Sequence, residues 1–88
     1  MPPVRIDPAF TKGARKLFAN HPEKRKRVEK TIGLLVKNPR HPSLATKKYD
    51  ESAGIWQSYV EQNTPSAWRI WWRWEGDTIV VISFGPHP

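Results

Sequence analysis

Between Ala67 and Glu75 the chain reads Trp68-Arg69-Ile70-Trp71-Trp72-Arg73-Trp74, and no other run constrains the fold as much. Successive side chains of an extended strand point to opposite faces. Alternation then puts Trp68, Ile70, Trp72 and Trp74 on one side, and Arg69, Trp71 and Arg73 on the other. The first set carries no charge and is expected in a core. The second is a row of Arg, Trp and Arg on a sheet surface. Gly76-Asp77 follows as a tight turn, and Thr78 to Phe84 reads as a second strong strand. Its unbroken apolar stretch, Ile79-Val80-Val81-Ile82, needs cover on both faces, so this strand is expected at the centre of the sheet.

The first half of the chain has a different period. Asp7 reads as an N-cap with Pro8 at the first helical position. Phe10, Ala14, Leu17 and Phe18 then recur at helical spacing. Asn20-His21-Pro22 breaks this helix, and Pro22 can open the next one. The second helix is expected from about Pro22 to Lys37, with Val28, Ile32, Leu35 and Val36 on its buried face, and Asn38-Pro39 stops it. Joined so tightly, the two helices are expected to form a hairpin. Lys47 to Asp50 is a short candidate strand, Ile55 to Gln62 a better one, and Asn63 to Ser66 a turn cluster. Val4 to Ile6 could pair as a further short strand. Helices segregated from strands imply an α+β domain spanning residues 1–88. Its expected form is an N-terminal helical hairpin on one face of a sheet of three or four antiparallel strands. The other face is left for function.

Composition narrows the chemistry. The chain has 88 residues and no Cys. That excludes a disulfide scaffold, a Cys-ligated zinc and a thiol nucleophile. Three separated His without a carboxylate cluster do not suggest a metal site, and no cofactor is expected. No stretch approaches the roughly 18 apolar residues of a membrane span. Met1 to Phe10 shows no signal-peptide pattern, so no membrane role is expected and cytoplasm is the expected location. Fifteen Lys and Arg against eight Asp and Glu give a net charge of +7, which suits a polyanionic partner such as nucleic acid or an acidic protein.

The Arg69, Trp71, Arg73 row fits such a partner. Guanidinium forks can hold phosphates while an indole stacks on a base. The structural alternative is a cation–π stack that shields a solvent-facing Trp. His87 follows the central strand, and an imidazole can donate a proton to a leaving oxygen near neutral pH. His21 and His41 each precede a Pro and are expected to be capping or loop residues. Lys24 to Arg27 reads as a solvated helix face that could also meet phosphates.

Taken in order, several segments resemble the RelE/ParE toxin superfamily over nearly the whole chain. They are Lys37-Asn38-Pro39, His41-Pro42-Ser43-Leu44, Gly54-Ile55-Trp56, Trp68-Arg69-Ile70-Trp71-Trp72, Glu75-Gly76-Asp77-Thr78 with the apolar run, and Gly85-Pro86-His87. The resemblance implies a toxin of a type II toxin–antitoxin system. RelE-like members are messenger-RNA endonucleases that cut in the ribosomal A site. ParE-like members poison DNA gyrase, and both are neutralised by a cognate antitoxin. Arg69 falls where RelE-like enzymes carry an Arg, and His87 where several branches carry a catalytic His. The chain departs from the pattern at Gln57, Ser58 and Tyr59, where basic residues are common, and only Pro88 follows His87. Lys47 and Lys48 could supply the missing charge.

The expected chemistry is metal-independent RNA cleavage, in which a 2′-hydroxyl attacks the adjacent phosphate. Arg69 would stabilise the phosphorane and His87 would act as the acid. Lys47, Lys48, Trp71 and Arg73 would bind the RNA. Glu61 is a candidate base if it shares a face with Tyr59, or else an ion-pair partner for an Arg. The expected partners are an antitoxin, the ribosome and messenger RNA. The competing readings are a gyrase poison and an inactive module that only binds RNA or an antitoxin.

Overall fold

The computed structural model describes residues 2–62 and 64–86. Strand β1 (Val4–Ile6) leads into helices α1 (Pro8–Asn20) and α2 (Pro22–Lys37) and a 3-10 turn at Pro42–Leu44. Strands β2 (Lys47–Asp50), β3 (Ile55–Tyr59), β4 (Trp68–Glu75) and β5 (Thr78–Pro86) follow. The sheet order is β1-β5-β4-β3-β2. It therefore has five strands and is mixed, where the sequence suggested three or four, all antiparallel. The difference is β1, which lies parallel to β5 with Val4 opposite Ile79 and Ile6 opposite Val81. Without it the centre of the sheet would be an open edge of unpaired amides.

Local chemistry explains the helix bounds. Asp7 Oδ1 accepts from the Ala9 amide at 2.9 Å, and Pro8 occupies the first turn. His21 sits between the helices and ends α1 by donating its backbone N–H to the Leu17 carbonyl. His41 caps the 3-10 turn, where its Nδ1 accepts from the Ser43 amide at 3.2 Å.

Both helices cover one face. There Ala14, Val28 and Leu35 meet Trp68, Ile70, Trp72, Ile79, Val81 and Phe84. Phe84 centres an aromatic cluster, with Phe10 and Phe18 both at 5.0 Å and Trp68 at 6.3 Å between ring centroids. Below it, Trp72 Nε1 donates to Ser58 Oγ, which also bonds Thr46 Oγ1, and Thr46 in turn donates to the Pro39 carbonyl. This chain ties the segment after α2 to the sheet. Trp74 departs from the expected core. It is 42% exposed. Its ring borders an open groove of about 670 Å³ together with Pro39, Trp56 and Trp72.

The interior position of β5, between β1 and β4, accounts for its apolar run. Ile79 and Val81 face the helices, while Val80, fully buried, faces the other way. Arg5 and Arg73 flank Val80 from β1 and β4. Both guanidiniums reach Glu75, so an ionic strap closes over the valine. Among the described residues no helix is long and apolar enough to cross a membrane.

Candidate functional site

Three transverse rows organise the face that the helices leave bare. Ile55, Arg73 and Val80 form one row. Lys47, Gln57, Trp71 and Ser83 form the next, and Tyr59, Arg69 and Gly85 the last. The strap belongs to the first row. Arg73 gives Nη1 to Asp7 at 3.3 Å and Nη2 to Glu75 at 3.1 Å. Asp7 is held below the usual carboxylate range by the Ala9 amide first and by Arg73 next. Glu75 is lowered mainly by Arg5. The guanidinium of Arg73 is thus committed within the protein.

Arg69 has different neighbours. Its guanidinium lies over the Tyr59 ring, 4.5 Å from the centroid. Lys47 approaches the same ring, with Nζ at 5.9 Å. Neither cation has an ion pair among the described residues, and Arg69 Nε is buried without an acceptor. A guanidinium over a ring face, with no carboxylate paired to it, keeps donors available to a phosphate. Gly85, the register partner of Arg69, has a φ of +153°, a value that glycine reaches without strain. It also brings no side chain beside the guanidinium.

In the middle row, Trp71 donates its indole N–H to Gln57 Oε1 at 3.2 Å. Gln57 is almost fully buried, and its Nε2 has no partner. Tyr49 reaches across from β2, and its ring meets that of Trp71 at 5.9 Å and 64°.

The structure therefore brings Arg69, Lys47 and Trp71 together on one face. Arg73 stands on that face inside its strap. Lys48 does not join them. It pairs opposite Trp56, lies over that ring at 5.6 Å on the other side of the sheet, and bonds Glu51. His87 lies outside the described residues. Glu61 does not share a face with Tyr59. The Val60 and Glu61 amides both bond the Trp68 carbonyl at 3.0 Å, a bulge that ends β3 at Tyr59 instead of Gln62 and turns Glu61 toward α2. There Lys24, Arg27 and the Trp68 amide hold its carboxylate. Burial alone would raise the Glu61 pKa, but these bonds outweigh it and keep the group below the ordinary range. The ion-pair alternative is the one the geometry adopts.

Tyr59 and Tyr49 are site residues that the sequence reading did not single out. Alternation carried the signal, since Tyr59 shares a face with Gln57 and Tyr49 with Lys47. Among the described residues no group of three His, Asp or Glu could hold a metal ion.

No family model matches the chain, and no curated protein matches it. Solved structures do. YafQ from E. coli strain BL21(DE3) superposes with a TM-score of 0.73 at 17% identity, covering 99% of this chain and 94% of that one. YoeB in its complex with YefM from Staphylococcus aureus gives 0.72 at 11% identity, covering 100% and 99%. A copper-bound mutant toxin from Helicobacter pylori gives 0.72 at 16% identity, covering 99% and 96%. Likeness at these identities is a likeness of fold, and it extends from end to end of both partners. Two helices on a five-stranded mixed sheet, with the other face bare, give this chain the α+β fold of the RelE-family toxins.

Proposed function

We propose that this protein is the toxin of a type II toxin–antitoxin system and a metal-independent endoribonuclease that cuts messenger RNA on the ribosome. The observation that carries the reading is Arg69, a guanidinium stacked on Tyr59 beside Lys47, with no carboxylate paired to it among the described residues. A net charge of +7 favours a polyanion at that face. The fold likeness to YafQ and YoeB agrees with it.

In this reading the scissile phosphate lies against Arg69 and Lys47. A 2′-hydroxyl gives its proton to water at the exposed face and attacks the phosphorus, and the N–H donors of Arg69 stabilise the extra charge of the phosphorane before it collapses to a 2′,3′-cyclic phosphate. The 5′ oxygen leaves with a proton from His87, which lies two residues beyond Gly85 in the chain. Backbone contact falls to Lys47 and base contact to Trp71. Arg73 would hold the wall of the site instead of the RNA, and Lys48 is on the far side of the sheet.

An antitoxin is the expected partner, because YoeB was solved as a heterotetrameric toxin–antitoxin complex with YefM. A segment with acidic character would complement this basic surface. The cytoplasm, where messenger and ribosome are found, is the proposed location.

The test is expression from a repressible promoter, with growth and messenger cleavage followed for the parent chain, Arg69→Ala and His87→Ala. Arrested growth and cut messenger in the parent, with both relieved in the variants, is expected. Full toxicity in both variants overturns the catalytic assignment. Blocked supercoiling by purified gyrase with intact messenger would point instead to a gyrase poison.

A further inference from the structure

We propose that Tyr49 and Trp71 form a nucleobase-stacking subsite, which holds one unpaired base of single-stranded RNA next to the phosphate subsite of Arg69 and Lys47. The proposal rests on the RNA-cutting reading above and assigns to it the base that flanks the phosphate.

Tyr49 is 60% exposed, the most exposed large hydrophobic residue described. It stands on the edge strand β2. It leans across β3 to meet Trp71. Rings that meet at 64° enclose a corner: a base stacked on one ring touches the other along its edge. Aromatic faces accept any base in this way, without reading its identity.

Gln57 prepares the corner as a positioning residue. Its side-chain oxygen holds the Trp71 N–H at 3.2 Å, and only 1% of its surface is exposed. A ring already pinned to the sheet has little freedom left to lose when a base arrives.

Register sets the spacing. Arg69 and Trp71 are two residues apart on β4, as are Tyr59 and Gln57 on β3. Two residues of strand span about 6.5 Å. The phosphate subsite and the corner are thus adjacent along the strands, within the reach of one nucleotide. RNA would lie along β4 with a base turned down into the corner. A base still paired in a duplex cannot turn this way, so the face selects single strands.

The experiment is a fluorescence titration with a 2′-O-methyl RNA oligonucleotide, which lacks the attacking hydroxyl and cannot be cut. It carries the fluorescent base 2-aminopurine, whose emission falls on stacking. Wild-type protein is expected to quench it. Tyr49→Ala and Trp71→Ala are each expected to lose the quench and about tenfold in affinity, whereas Tyr49→Phe keeps both and Trp71→Phe, which lacks the N–H held by Gln57, keeps part of each. The salt dependence should be unchanged in all four, because stacking releases no counterions. Gln57→Leu should weaken the quench while unfolding as the wild type does. An abasic oligonucleotide should bind wild type and Tyr49→Ala equally.

Quenching by Tyr49→Ala equal to that of wild type overturns the subsite, as does a duplex bound as tightly as the single strand. Failure of the wild type to bind any single strand overturns it too. Quenching that depends on both rings, in a protein that neither arrests growth nor cuts messenger, overturns the cleavage reading and leaves the subsite standing.

Discussion

Arg69 and Arg73 lie four positions apart on one strand and share a face, yet their surroundings set them to different work. Arg73 spends its nitrogens on Asp7 and Glu75, while Arg69 rests on a tyrosine. Arg69→Ala is therefore expected to lower the rate of messenger cleavage by about two orders of magnitude, the usual cost of removing one donor to a developing charge. Arg69→Lys should recover little, since an ammonium has no planar fork. Arg73→Ala should lower the melting temperature more than the cleavage rate. Lys47 and Lys48 provide a second contrast. Lys47→Ala is expected to reduce the salt slope of RNA binding by about one, and Lys48→Ala to leave it unchanged. Glu61 gives a prediction in pH. Its folded pKa is below the unfolded value of about 4.3, so its bonds to Lys24, Arg27 and the Trp68 amide stabilise fully above that pH. They are lost as pH falls through the folded value. Glu61→Gln should cost about 1–3 kcal/mol in urea denaturation at pH 7, and the gap to wild type should narrow as the pH falls below the folded value.

Elements were legible wherever the sequence supplies punctuation. Pro22 and Asn38-Pro39 bracket α2, and the structure begins and ends it at Pro22 and Lys37. The tight turn at Gly76-Asp77 is equally plain, with Gly76 at a φ of +59°. Where a boundary depends on a partner, the sequence is silent. The end of β3 is set by two amides sharing the Trp68 carbonyl, and nothing local to Val60 announces that bulge. Trp74 obeys its alternation yet stays partly exposed, beside a groove lined by strand and loop residues. The same division runs through the site. The row Arg69, Trp71, Arg73 can be read from alternation alone. Which arginine is free depends on Asp7, 66 positions away, and on Arg5 across the sheet. The hydroxyl chain Thr46–Ser58–Trp72 is another long-range device. Ser58→Ala would leave the Trp72 N–H buried without an acceptor, at an expected cost of about 1–3 kcal/mol in chemical denaturation. Leu35→Ala empties a fully buried position under α2 and should cost about 2–5 kcal/mol by the same measurement.

For the whole molecule, charge and chain order matter most. Under the proposed function, a basic domain with a bare aromatic face would meet RNA through phosphates first, so affinity should fall steeply between low and physiological salt in filter binding. Chain order has a quieter effect. β5 lies inside the sheet, between β1 and β4, but comes last among the strands, and its neighbour β1 comes first. Val4 must wait for Ile79, its partner in register, before it can pair at all. Closing so long a loop early is costly, and folds dominated by such contacts form slowly. Removal of residues 78–86 should leave a chain with no cooperative thermal transition by circular dichroism. A growing or truncated chain that has not reached its eighties holds its tryptophans without a middle strand to bury them, open to proteases and to aggregation. Assembly is thus close to all-or-none, and a fragment cannot offer a working surface.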